Sequence, residues 1–500
     1  MSRACSRPFQ RAILCAAVSG ALAISTDAAA VRIGADGLGE ALIYPYYTVQ
    51  STDGNSFNTY LSVVNHTPDA KAVRVRFREG RMGAEVASFN LFLAPNDAWT
   101  GAIVPSEAGA RLLTADVSCT DPAFGSGAPP FFMDFRNGAF SGANDDGAGT
   151  GLDRTREGYV EMIEMATLTG ASAAAVTHNS LGVPTNCAAV QSGASVLAAA
   201  QTGGLSGTVS LINVQSGVNF DLNAVALDDL ATRPFYRPAG DPYPDFNAAE
   251  IDPVSVVVAN GAAYRATWGR SIDAVSAVFM AQDIQGEYVL DDATASNTDF
   301  VATFPTRRFY VTATSAQLPF SQPSRWAPHC EPSTPLAGEL IEAFGYDREG
   351  RATVLTPDAC GFDCAFTPPA NICAATVVMD VSNRTPHTAI TSQSRVLGSL
   401  VHGFGPDGLM ASALFTHGWI KAVFNGTGPA VSGLASLPSS TRMDLATGAI
   451  TSGSQTYYGL PVVGFAARTF VNGTLTCAAG ACQGNYGGAF PFQYTRRIAP

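Results

Sequence analysis

The feature that most constrains this chain is a strict alternation from Lys71 to Glu79, where Val73, Val75 and Phe77 interleave with Arg74, Arg76 and Arg78. Successive side chains of a strand point to opposite faces, so such a run makes a half-apolar β-strand and a poor amphipathic helix. The usual solution is an antiparallel sheet with one core face and one wet face. Val75 and Phe77 are therefore expected to be buried, with Arg74 and Arg76 in solvent. Neighbouring runs, Asn58 to Asn65 and Val86 to Leu93, also have strand length, and Thr67-Pro68-Asp69 and Gly80-Arg81-Met82-Gly83 supply turns between them. Pro95-Asn96-Asp97 then turns into a further strand at Trp99. Short strands punctuated in this way predict a sandwich.

More strands are predicted over Tyr159 to Met165, Thr208 to Val214, Ser276 to Ala281, Phe300 to Phe304, Phe309 to Thr312, Ala374 to Val381 and Trp419 to Phe424. A last one, Pro461 to Phe470, is expected to return through Gly488 to Tyr494, with Asn472-Gly473 as turn chemistry. The 49 Gly and 30 Pro fit many turns and long loops. Phe124 to Asp153, Gly170 to Gly207 and Asn425 to Ser440 are loose in composition, although Asn186 is placed to cap a short helix at Cys187. Arg233 to Pro253, with prolines among aromatics, reads as an ordered crossing loop. The fold class is mainly β, with antiparallel β-sandwich domains, long Gly/Ala/Ser-rich loops and few short helices. A β-rich, sandwich-like region is expected over 31–325 and a cysteine-containing β-rich region over 326–500, with the break near the prolines between Ser321 and Pro335. No fixed-period repeat points to a solenoid or propeller.

Residues 1–30 have the form of a secretory signal peptide. Arg3, Arg7 and Arg11 precede an apolar run from Ala12 to Ile24, and Ala28-Ala29-Ala30 offers the cut, so the mature chain is expected to begin near Val31. A lipoprotein is the rival, because Cys15 lies in the apolar run, but Leu14 stands where a lipobox has a small residue. No later segment approaches the ~18 uncharged apolar residues of a membrane helix. The expected location is the periplasm, cell surface or extracellular space. A net charge of −12 argues against nucleic acid and anionic membranes as partners.

Without the leader, the cysteines are Cys119, Cys187, Cys330, Cys360, Cys364, Cys373, Cys477 and Cys482. An even set in an exported chain reads as disulfides. Cys477 and Cys482 are a local pair and Cys119 with Cys187 follows by elimination, while pairing among the middle four stays open. Zinc is the alternative for the middle cluster, since His329 adjoins Cys330 and Cys360-x3-Cys364 has ligand-like spacing.

Few residues suggest chemistry. Glu161 and Glu164 resemble a glycosidase pair in type, but positions i and i+3 of a strand face opposite ways. Asn144-Asp145-Asp146-Gly147 with Asp153 offers oxygen ligands at a spacing unlike the EF-hand loop, and Asp228-Asp229 and Asp291-Asp292 are read as solvated acidic pairs. His66, His178, His329, His387, His402 and His417 form no H-E-x-x-H motif, and neither a G-x-S-x-G elbow nor a phosphate-binding loop is present. Tyr44-Pro45-Tyr46-Tyr47 is either a sugar-stacking platform or a strand packed onto the core. No catalytic residue, cofactor or metal ion is assigned.

Leu42-Ile-Tyr-Pro-Tyr-Tyr-Thr-Val49, Ser62-Val-Val-Asn65, Val75-Arg-Phe-Arg-Glu-Gly80, Thr298-Asp-Phe-Val-Ala-Thr-Phe-Pro-Thr306 and Asn485-Tyr-Gly-Gly488 resemble the hallmark segments of a family of uncharacterised exported proteins of Gram-negative bacteria. The resemblance spans most of the mature chain and implies export and a β-rich body, with no activity and no functional residues. The expected function is that of an exported, disulfide-stabilised, non-catalytic envelope or extracellular protein acting through surface contacts in adhesion, matrix or assembly. Envelope components, glycans or copies of itself are the expected partners. The alternative is a secreted hydrolase of polysaccharide or protein without a recognisable motif. Carboxylates or a Ser-His-Asp set converging in a cleft would favour the enzyme, and a face with apolar or aromatic patches would favour contact. Thiol titration of the denatured mature protein is expected to find no free thiol; two or more per chain would overturn full bridging and favour zinc.

Overall fold

A computed structural model describes residues 29–499 except 53, 126–127, 192–193, 292–293, 322, 324–338, 358–369, 383–392, 400–408, 411–414, 425–448 and 478–479. The chain is mainly β, and among the described residues the α-helices are the short Gly170–Val176 and Ser271–Phe279. Ala41–Thr48, Lys71–Glu79, Glu85–Leu93 and Glu157–Leu168 lie in an eight-stranded sheet. Asn58–Asn65, Ala98–Pro105, Ala110–Thr114, Leu205–Asn213 and Val218–Asn223 lie in a six-stranded one. The two face each other over a core that includes Tyr44, Val75, Phe77, Phe89, Trp99, Leu112, Val209 and Phe220. This is the predicted sandwich, and the strands at Asn58–Asn65 and Lys71–Glu79 have the predicted bounds.

The outer face of the eight-stranded sheet departs from expectation. Arg74 and Arg76 are each 1% exposed and Arg78 is 5% exposed, so both faces of the Lys71–Glu79 strand are buried. The segment 233–253 lies over them. Arg74 donates to the carbonyls of Pro238 at 2.9 Å and Asp241 at 3.1 Å, and Arg76 to that of Pro242 at 2.6 Å. Asn90, opposite Arg74 in register, donates to the Arg237 carbonyl at 2.9 Å. Proline has no N–H, so a proline-rich segment forms few bonds of its own and its carbonyls require outside donors, which a guanidinium supplies in number. The period of two reported that the faces differ, and could not report what covers each.

A third, eleven-stranded sheet includes Asp283–Val289, Asn297–Thr303, Glu339–Asp347, Thr376–Ser382, His417–Val423, Val463–Cys477 and Gly480–Pro491. It is antiparallel apart from Thr376–Ser382 beside Leu409–Met410. Thr298 lies opposite both Val381 and Arg468, so this sheet draws strands from both sides of the break expected at 325, which itself lies outside the described residues. Phe300, Val377, Ile420 and Ala422 join Ile43, Met165 and Phe235 in a second core between the two halves.

Three local expectations are corrected. Ser276 to Ala281 is mostly helix, the end of Ser271–Phe279: Ile272, Val275 and Val278 recur at helical spacing, and Asp273 in the first turn favours the helix N-terminus. Phe309 to Thr312 is a 3-10 turn over Arg307–Phe309 followed by a single bridge from Val311 to Ala316. Asn472-Gly473 is a register shift inside a longer hairpin, whose strands still pair at Cys477 and Gly480. Gly487 in that hairpin lets it lie on the sandwich edge, because a Cβ there would sit 2.8 Å from the Asn219 carbonyl oxygen.

The geometry predicts that Phe77→Ala costs about 3 to 5 kcal/mol. Arg78→Ala should cost a similar amount, about 3 to 5 kcal/mol, because it strands a buried carboxylate. Urea denaturation of both variants checks this; a loss below about 0.5 kcal/mol for Arg78→Ala, the value of a surface change, would mean the arginine face is wet.

Candidate functional site

The two glutamates flagged by sequence are structural. Glu161 sits on the arginine face, where Arg78 Nε donates to it at 2.9 Å and Arg308 Nη2 lies 3.8 Å away. Burial would raise its pKa, but Arg78, Arg308 and Arg76 outweigh burial and hold it below the usual carboxylate range. Arg76 is pushed down to about 10 by burial and by the neighbouring Arg78. Glu164 is bound to Lys71 Nζ at 2.9 Å and accepts the Gly203 N–H at 3.1 Å, while burial pushes its pKa up. Each carboxylate is thus engaged with its own cation, and the pair does not flank a common site.

The acidic loop is likewise spoken for. Asp146 takes Arg154 in a two-point fork at 2.7 and 2.8 Å, Asp153 takes Arg81 at 2.8 Å, and Asp228 and Asp229 both bind Arg32. Asp291 bonds Ser296 through its carbonyl, and Asp292 lies outside the described residues. Tyr44, Tyr46 and Tyr47 are fully buried and donate to the Ser62 carbonyl, Glu157 and the Thr155 carbonyl. They pack a strand and offer no stacking face. His66 meets Ser206 at 2.8 Å, His417 meets Thr416 at 3.1 Å and His178 lies 3.8 Å from Asp97; the other histidines lie outside the described residues. Cys119 and Cys187 form the expected disulfide. Cys373 is buried and disulfide-bonded. Cys330, Cys360, Cys364 and His329 lie outside the described residues, as do the Cys477 and Cys482 side chains and residues 1–28, where the leader is expected.

Sequence reasoning missed two buried acid clusters. Asp299 and Asp380 stand directly opposite on adjacent strands, and the Leu397 N–H donates to Asp299 at 2.9 Å. Burial and the Asp380 charge push the Asp299 pKa far up. Val396 and Leu397 close over it, which leaves it packed rather than open to a substrate. Glu40 is buried and accepts the Leu230 and Ala231 N–H groups; burial, with Glu164 and Asp228 adding to it, pushes its pKa up to about 7.

An open groove lies on the outer face of the eleven-stranded sheet. On Asp283–Val289 and His417–Val423, Ile284, Tyr288, Ile420 and Ala422 enter the core, which leaves Gln285, Glu287, Trp419 and Lys421 on the other side. Glu287 is opposite Trp419, and Gln285 is opposite Gln493. These residues, with Arg468 and Phe490 from the long hairpin, line a groove of about 430 Å³. Tyr346, opposite Trp419 on the next strand, stacks on the indole with centroids 4.2 Å apart and planes 9° from parallel. Arg468 Nη1 donates to Glu287 at 3.0 Å, and its guanidinium lies 3.7 Å from the Phe490 ring centroid. The signal for this site was the alternation Trp419-Ile420-Lys421-Ala422, which puts an aromatic on a lysine's face. Pairing it with Arg468 and Phe490 needs the fold. Among the described residues that line the groove, Glu287 is the sole carboxylate.

Comparison of the chain with protein-family models, with curated proteins and with solved structures finds no match.

Glu40 generates a pH prediction. Its folded pKa lies above its unfolded one, so between about 4.5 and 7 the folded state binds the extra proton. Stability must therefore fall as pH rises through that window, by about 3 kcal/mol from this group. Urea midpoints at pH 5 and pH 7.5 are expected to show a smaller fall in Glu40→Gln than in the unsubstituted protein; parallel profiles would overturn the assignment.

Proposed function

We propose that this chain is an exported, disulfide-stabilised protein of the cell envelope or extracellular space that acts by surface contact rather than catalysis. The observation that carries the reading is the groove formed by Gln285, Glu287, Trp419, Arg468, Phe490 and Gln493. It is built on strands, which hold side chains in fixed geometry, and it combines two aromatic side chains with planar polar groups. Its one described carboxylate is tied to Arg468, which suits holding a ligand and does not suit proton transfer. Export is supported by the leader pattern over 1–30 and by the Cys119–Cys187 bridge, a bond that persists in oxidising compartments. The resemblance to exported Gram-negative proteins points the same way.

Fractionation of the native host is expected to recover the chain outside the cytoplasm with Val31 at its N-terminus. Purified mature protein is then expected to bind isolated envelopes, and Trp419→Ala to weaken that binding at least about tenfold, or 1.4 kcal/mol. Cytoplasmic recovery would overturn export, and unchanged binding by Trp419→Ala would overturn the groove as the contact site.

A further inference from the structure

We infer that the groove on the eleven-stranded sheet binds a neutral polysaccharide chain, with Trp419 and Phe490 as stacking surfaces and Glu287, Arg468, Gln285 and Gln493 reading hydroxyl groups. The inference rests on the surface-contact reading above and names its ligand class. A sugar ring has a C–H face and a rim of hydroxyls, so its recognition needs an aromatic surface beside polar groups that both donate and accept. The electron-rich face of an aromatic ring attracts polarised C–H groups. Carboxylate, amide and guanidinium groups supply planar acceptors and donors at a spacing that matches neighbouring hydroxyls. The groove holds both sets within one cavity of about 430 Å³.

Three details sharpen the assignment. Tyr346 backs the Trp419 indole in a parallel stack, which fixes the plane before any ligand arrives and lowers the entropic cost of binding. Phe490 is 43% exposed although Arg468 already lies 3.7 Å from its ring centroid, so the ring is held and still offers surface. Arg468 is 9% exposed, lines the groove, and has a buried Nε with no hydrogen-bond partner among the described residues. A buried donor of that kind is costly unless a ligand or water accepts from it.

Charge and backbone decide against other ligands. Glu287 neutralises Arg468 within the groove, and the chain carries a net charge of −12, so an anionic polymer gains little here. Peptide capture by strand addition would run along the edge strand Gln493–Thr495. Trp419 stands one strand further in, on a strand paired on both sides, with Asp283–Val289 and with Glu339–Asp347.

Affinity electrophoresis of the mature protein in native gels cast with soluble β-glucan, xylan, galactomannan or dextran tests the inference, with alginate as the acidic probe. At least one neutral polymer is expected to retard the protein in a salt-insensitive way. Trp419→Ala and Phe490→Ala should abolish the retardation and Trp419→Phe should keep it, all three with unchanged thermal midpoints. Retardation by alginate alone would overturn the neutral class. No retardation in any gel, with envelope binding still dependent on Trp419, would overturn the glycan and leave the contact reading standing. Loss of both would overturn the two together.

Discussion

Three arginines buried on one strand set the terms for the rest of this molecule. Arg74, Arg76 and Arg78 project from the middle of the eight-stranded sheet into a space that excludes water, and each guanidinium must find its partners there. Glu161 on the neighbouring strand supplies a full charge, Glu85 lies 3.2 Å from Arg76, and the carbonyls of the 233–253 segment supply the remainder. Because the guanidinium fork is rigid and planar, these partners must stand in a narrow range of positions. The crossing segment is thereby fixed over the sheet, and the second core forms against what it covers.

The two halves meet through a few specific contacts besides that core. Thr303 donates its hydroxyl to the Pro45 carbonyl, and Phe465 lies 6.4 Å from Tyr46 between ring centroids. Glu157 gathers Tyr46, Gln50 and Ser399 from three separate stretches of chain. The hydrogen bonds among these are buried, so each specifies one arrangement more than it adds net stability. At the far edge the long hairpin reaches the sandwich, where Asn485 donates to the Ser216 carbonyl at 2.6 Å and Gly487 permits the close approach.

Charged groups thus have two separate uses. Those inside pair with one another: Lys71 with Glu164, Arg78 with Glu161, and Arg154 with Glu79. They hold the sheets together from within the fold. The outer face of the eleven-stranded sheet carries the looser set, Glu287 with Arg468 beside two aromatics, where water and ligand can compete. A protein that acts by contact needs this division, since its binding residues must stay rigid without being consumed by the fold.

The sequence by itself determined the elements. Alternation at Lys71 to Glu79, Val86 to Leu93 and Tyr159 to Met165 placed strands, Pro and Gly placed turns, and the sandwich followed, because side-chain period and turn chemistry are local properties. It also placed Glu161 and Glu164 on opposite faces and paired Cys119 with Cys187. Only the tertiary structure decided burial of the arginine face, the facing acids Asp299 and Asp380, and the groove at Trp419. Each of these depends on residues far apart in sequence coming together. Glu287 and Arg468 are 181 positions apart, and Arg74 and Pro238 are 164. A period reports which residues share a face, but what that face meets is set by the packing of distant segments.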